Sequence, residues 1–181
     1  MDAFIKKILF TCIAVILSLT TLNAVELENS YKNLVLNGQG TRDKFFIDLY
    51  VGGLYLKEKS SNFQTIIDAD EDMNIRLHIV SSLITSKKME DGTREGFTKS
   101  TNGNTEQIEE KIETFLAVFL EEIKENDIYD FLYIPSTGMQ IYKNNKLKET
   151  ITGLEFKKAL YGIWIGENPA QNSLKEDMLG E

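Results

Sequence analysis

Residues 37–57, NGQGTRDKFFIDLYVGGLYLK, constrain the fold of this chain more than any other stretch. Phe45, Ile47, Leu49 and Val51 form an apolar row at period two, alternating with Arg42, Lys44, Phe46, Asp48 and Tyr50. Side chains of a strand point alternately to its two faces, so the pattern predicts a β-strand with the first row in a core. Gly52-Gly53 interrupts the run and marks a bulge or a close backbone approach, after which Leu54-Tyr55-Leu56 resumes it.

The rest of the chain alternates short elements with polar breaks. A short helix is expected over 63–69 and a strand over 74–80. Residues 86–99 read as a helix with Met89, Thr93, Gly96 and Phe97 on one stripe, its glycines allowing a close approach to the sheet. A longer helix is expected over 105–123, capped by Asn104 with Gln107 three residues on. Its apolar face is Ile108, Ile112, Phe115, Leu116, Phe119 and Ile123. Three strands follow as a meander, 131–134, 139–143 and 147–151, turned at Ser136-Thr137-Gly138 and at Asn144-Asn145. Thr152 to Glu155 reads as a capping box for a helix burying Phe156, Ala159, Leu160, Ile163 and Trp164 and ending at Gly166; Ser173 to Glu176 reads as a second box. Strands that connect this briefly favour an α+β domain, an antiparallel sheet carrying helices on one face, over a parallel doubly wound sheet.

Residues 1–24 read as an export signal. Lys6 and Lys7 precede an uncharged apolar run over 8–22, and Leu22-Asn23-Ala24 offers a cleavage site. The run is short of the ~20 residues that span a bilayer, so cleavage is expected over anchoring, with no stable membrane insertion afterwards. Export implies a periplasmic or secreted domain of residues 25–181. It holds no cysteine, because Cys12 leaves with the signal, and it rests on packing alone. The 181-residue chain carries a net charge of −8, which disfavours nucleic acid or an anionic lipid surface as partner.

Chemistry-bearing motifs are sparse. The single histidine, His78, lies mid-strand without companions, where a metal site needs several ligands. No nucleophile elbow, zinc-protease helix, Walker loop or Rossmann fingerprint is present, and Asn37-Gly38-Gln39-Gly40 has too few glycines for a phosphate loop. The acidic clusters at 68–72 and 109–113 lack a calcium-loop pattern and read as solvated charge. No cofactor and no metal are expected. The residues alone define an exported α+β domain.

Residues 36–56, with L-N-G-x-G-x-R followed by F-F-x-x-x-Y-V-x-G-L-Y-L, resemble the first strands of the chalcone isomerase-like family, in particular its bacterial exported branch. The likeness continues through Arg76-Leu77-His78, Arg94 to Phe97, Asp130 to Pro135 with Thr137-Gly138, and the ending Ile163-Trp164-Ile165-Gly166…Pro169…Ser173-Leu174-Lys175. It covers almost the whole chain after the signal. The resemblance implies an open-faced β-sandwich, an antiparallel sheet backed by a helical layer with a ligand cleft between them. It also implies three possible roles. Plant enzymes of the family close a chalcone into a flavanone, fatty-acid-binding relatives hold a carboxylate with an arginine and a tyrosine, and bacterial relatives are thought non-catalytic.

Carried over by position, Arg42 matches the arginine and Tyr50 the tyrosine of the fatty-acid binders. The helix residues that polarise the ketone do not carry over, since their places fall near Ser86, Met89 and Thr93; Lys87 or Lys88 replaces the lysine only if the register slips. A further substrate-contacting hydroxyl position falls near Lys157. The expectation is a non-catalytic binder of an amphipathic carboxylate or phenolic small molecule, fatty-acid-like, with Arg42 and Tyr50 as ligand-binding residues. The alternative is an intramolecular lyase or isomerase of chalcone isomerase type with a reduced polar set. Eight residues of continuous strand place Tyr50 ~26 Å from Arg42, so the two share a ligand only if the chain turns between them.

Overall fold

The structure, a computed structural model, describes residues 33–181. The expected export signal and the start of the expected domain lie outside them. Six strands form one antiparallel sheet in sequence order: β1 Val35–Lys44, β2 Ile47–Leu56, β3 Met73–Ile79, β4 Ile128–Ile134, β5 Gly138–Lys143 and β6 Lys146–Ile151. Five helices cover one face: α1 Phe63–Asp68, α2 Ser86–Ser100, α3 Glu109–Leu116, α4 Leu154–Ile165 and α5 Asn172–Leu179. This is the open-faced arrangement expected from the order of elements.

The stretch 37–57 departs from a single strand. It is a hairpin, turned at Phe45-Phe46 with both residues at positive φ, 53° and 64°. Arg42 pairs with Tyr50 and Asp43 with Asp48, so Leu49 is an extra residue that shifts the alternation. The core row of β2 is therefore Tyr50, Gly52, Leu54 and Leu56, while Phe45 and Ile47, expected inside, are exposed. Period-two counting placed the wrong row inside because it ran straight through a turn and a bulge.

Gly38, Gly40 and Gly52 form the seat of α5. A Cβ on Gly38 would stand 2.1 Å from the Asp177 carbonyl, and one on Gly40 would stand 2.3 Å from the Asp177 carboxylate. A Cβ on Gly52 would stand 3.3 Å from Leu174. Asn37 Nδ2 donates to the Met178 carbonyl at 2.9 Å, and Leu174, Met178 and Leu179 are buried beneath. The G-x-G of the sequence is thus a flat bed for a helix.

The main core lies between sheet and helices. Ile75 and Leu77 of β3, Tyr129, Phe131 and Tyr133 of β4, and Met139 and Ile141 of β5 meet Phe97, Phe115, Phe156 and Leu160. Phe131 stacks on Trp164, with ring centroids 5.5 Å apart. The stripe expected on α2 is the buried one, but Gly96 faces α4: a Cβ there would stand 2.7 Å from Ile163. The helix expected over 105–123 is shorter. It forms α3, continues as a 3-10 turn over Ala117–Leu120, and starts at Ile108 without a side-chain cap. Every residue of its expected apolar face is buried. Neither capping box forms, since α4 starts after Gly153 and α5 after Gln171, each without a side-chain cap. On the opposite sheet face Leu34, Leu132 and Tyr142 form a small second cluster, beside the buried Asp130 that Arg76 grips with two bonds of 2.8 and 3.1 Å.

One buried charge organises the far end of α4. Lys157 is fully buried, and its Nζ donates at 2.8 Å to each of the Ile66, Ile67 and Ala69 carbonyls. Those are the orphan acceptors at the C-terminal end of α1, where a cation is also favoured by the helix dipole. The Tyr133 and Tyr161 rings flank the ammonium, with centroids 5.6 and 5.4 Å away. Lys157 is a helix cap and contributes no wall to the cleft described next.

Candidate functional site

The turn end of the β1–β2 hairpin, one face of α2 from Lys88 to Lys99 and the end of α4 enclose a cleft of about 560 Å³. That volume lies within the range of small-molecule sites. Ile47, Leu49, Ile84, Met89, Ile163 and Trp164 give it apolar walls. Gly92 and Gly96 line it on the α2 side, and a Cβ on Gly92 would meet nothing within 4 Å.

The hairpin turn brings Arg42 and Tyr50 side by side as cross-strand partners, resolving the distance problem of a continuous strand. Both line the cleft. Tyr50 is buried, and its hydroxyl accepts a 3.0 Å hydrogen bond from the Trp164 indole N–H. Burial raises the phenol above its ordinary pKa, against the opposing pull of that indole and of the Arg42 guanidinium. At neutral pH it is therefore an uncharged donor. No acceptor for its proton is found among the described residues.

Arg42 is half-buried and held from one side. Its Nη1 donates to the Gln171 Oε1 at 2.6 Å and to the Asp43 carbonyl at 2.7 Å. Gln171 is itself fixed, with Nε2 donating to Asp43 Oδ1 at 2.8 Å and to Ser173 Oγ at 2.7 Å. Arg42 makes no ion pair among the described residues, and its guanidinium also hydrogen-bonds to the Tyr50 phenol oxygen. A guanidinium and a neutral phenol thus present spare donors side by side, which suits an anionic oxygen.

The charges around this pair lean positive. Arg42, Lys44, Lys88 and Lys99 line the cleft against Asp91 and Glu95. Asp91 is paired with Lys87, and Glu95 with Lys99 at 2.6 Å, which holds the Glu95 carboxyl below its ordinary pKa. Of the ketone-polarising positions, Met89 and Thr93 line the cleft and Met89 has no donor. Lys88 also lines it, but its ammonium donates to the Leu83 carbonyl at 3.0 Å.

Sequence reasoning singled out Arg42 and Tyr50 but missed both holders. Trp164 read as one of a buried stripe, and its second task is invisible until Tyr50 turns inward. Gln171 lies in a polar link between helices and left no periodic signal. Among the described residues no group of His, Cys, Asp or Glu gathers as a metal site, and no helix is long and apolar enough to cross a membrane.

Comparison with known proteins bears on the family and the fold. The sequence profile of a family described as chalcone isomerase-like matches residues 18–180. Comparison with the curated proteins returns no match. Among solved structures, a fatty-acid binding protein of Arabidopsis thaliana is similar, with a TM-score of 0.67 and 19% sequence identity. The similarity covers 81% of this chain and 87% of that one.

Proposed function

The chain belongs to the chalcone isomerase-like family, and we propose that it is a non-catalytic binder of an amphipathic small-molecule anion, a fatty-acid-like carboxylate or a phenolate. The observation that carries this reading is the juxtaposition of Arg42 and Tyr50, their spare donors facing an apolar cleft. The head group takes the guanidinium fork and the phenol proton, and the tail lies along Leu49, Ile84, Met89 and Ile163. The similarity in fold to a fatty-acid binding protein is consistent with it. Flavanone closure needs a set of donors on a ketone oxygen; Met89 supplies none, Lys88 is engaged with a backbone carbonyl, and of those positions Thr93 alone brings a hydroxyl to the cleft.

The test is titration with a fluorescent fatty acid beside thermal unfolding, for wild type, Arg42→Ala and Arg42→Lys. Loss of a charge-assisted bond contributes ~1.5–3 kcal/mol, so Arg42→Ala lowers affinity about tenfold to a hundredfold. Arg42→Lys restores part, because a point charge cannot reproduce the fork. The empty protein unfolds at nearly the same temperature in all three, since Arg42 is only half-buried and Gln171 and Tyr50 keep their other hydrogen bonds. An Arg42→Ala protein that is unstable yet binds normally once folded makes Arg42 structural. In the same preparation chalcone absorption decays no faster than in buffer; faster decay favours the isomerase reading.

We further propose that the protein is exported after cleavage behind Ala24, on the strength of the basic start and uncharged apolar run of residues 1–24. N-terminal sequencing of the protein from its native compartment then starts at Val25. An intact Met1 in a membrane fraction means an anchor.

A further inference from the structure

Phe45 and Phe46 close the β1–β2 hairpin in the left-handed region, at φ 53° and 64°, with relative exposures of 82% and 103%. Bulky side chains rarely adopt that backbone, and a two-residue hairpin turn of this kind favours Asn and Gly. The same chain supplies its own comparison. The β5–β6 hairpin is closed with nearly the same geometry, φ 51° and 62°, by Asn144 and Asn145, the residue type that tolerates it. The β1–β2 turn thus accepts backbone strain and holds two aromatic rings in water. Strain retained at an exposed position is a reason to look for a use.

The tip is continuous with the cleft. Phe45, Ile47 and Leu83 all line its mouth, and the last two are 45% and 47% exposed. Lys44 and Lys88 stand at the same rim without an ion pair among the described residues, and Lys44 Nζ lies 5.8 Å from the Phe45 ring centroid. Asp43, Asp48, Asp91 and Glu95 are the nearby acids; Asp91 is paired with Lys87, Glu95 with Lys99, and Asp43 accepts from Gln171. The net charge of −8 argues against anionic surfaces for the molecule as a whole. This rim is a local exception.

We infer that the Phe45-Phe46 tip docks reversibly at the interface of an anionic lipid bilayer, so that an amphipathic ligand passes between membrane and cleft. Aromatic rings seat at the headgroup boundary, and flanking lysines reach the headgroups with their ammonium while their stems stay apolar. The inference rests on the ligand reading above, because the tip is the lip of that cleft.

The experiment uses the full chain with vesicles of phosphatidylcholine, with and without phosphatidylglycerol. In Phe46→Trp, the introduced indole reports its own position, since Trp164 is buried. Its emission shifts to the blue and is quenched by brominated acyl chains, more strongly with phosphatidylglycerol present. A second variant, Phe46→Gly, removes the ring that stands outside the cleft lining, relieves the strain at that position and unfolds at the same or a higher temperature. It takes up a fluorescent fatty acid from water as wild type does, but its uptake from vesicles slows roughly tenfold to a hundredfold, the loss expected for one buried aromatic side chain. An indole that stays in water, or undiminished uptake from vesicles by the second variant, overturns the inference and leaves the tip to a protein partner. Failure of wild type to bind the fatty acid from water, with the indole still entering the bilayer, overturns the ligand reading alone.

Discussion

Lys157→Ala lowers the stability of the folded protein by about 3–5 kcal/mol. Three carbonyls lose their donor at once, and a buried acceptor left unpaired costs ~1–3 kcal/mol. Part of that sum is offset, because the ammonium no longer has to be desolvated. Lys157→Met keeps the apolar stem between the Tyr133 and Tyr161 rings, so it is the milder change and isolates the polar part. Denaturant titration measures both, with the midpoint falling and the slope unchanged. A loss under ~1 kcal/mol in Lys157→Ala means that the end of α1 finds other donors.

The same residue gives a pH dependence. Burial pulls the Lys157 ammonium down to about 8, opposed by Asp68, so it is still charged at neutral pH. A lysine with a depressed pKa leaves the unfolded chain holding more protons between about 8 and its ordinary 10.5. The pH-linked part of its contribution, added to that of the three hydrogen bonds, is therefore complete above 10.5 and is lost as pH falls through about 8. Wild type gains on Lys157→Met as pH rises across that window, and unfolding of the two proteins from pH 7.5 to 10 measures it. A constant difference shows that the three carbonyls and two rings compensate fully for burial.

Gly38→Ala is the second large effect, of at least ~3 kcal/mol. Overpacking ordinarily costs ~1–3 kcal/mol because side chains give way. Here the added methyl meets the backbone carbonyls of Asp177 and Met178, at 2.1 and 2.8 Å, and only the whole of α5 can move. Lifting α5 uncovers Leu174, Met178 and Leu179 and loosens Gln171, which immediately precedes it and holds Arg42. Affinity for the fluorescent fatty acid falls together with the unfolding temperature. A variant that keeps both shows that α5 re-seats without cost.

Much of the helical layer was legible in the sequence, because amphipathic stripes follow from period alone. Met89, Thr93, Gly96 and Phe97 are buried as their spacing requires, as is the row from Ile108 to Ile123. The resemblance to the chalcone isomerase-like family supplied the open-faced architecture and picked Arg42 and Tyr50. The hairpin was hidden, since Phe-Phe carries none of the chemistry that signals a turn. With it went the parity of β2 and the pairing of Arg42 with Tyr50. The capping boxes failed for a related reason. Thr152 and Ser173 have the right spacing, but the chain enters each helix along a path set by tertiary contacts, with Gly153 at φ 107°. The buried task of Lys157 left no signal, because its three acceptors belong to a helix about ninety positions earlier.

The seating of α5 on β1 has a consequence for the order in which the molecule assembles. The β1–β2 hairpin and the β4–β5–β6 meander zip up through short loops, while β3 joins β4 across α2 and α3. The glycine bed of β1 is different, because Asn37 waits for Met178, 141 positions later. Closing so long a loop comes late, after the intervening chain has collapsed. Arg42 gains its hold on Gln171 only in that step. On the proposed binding role, competence is therefore the last property to mature, and a refolding experiment sees ligand uptake lag behind burial of the aromatic core.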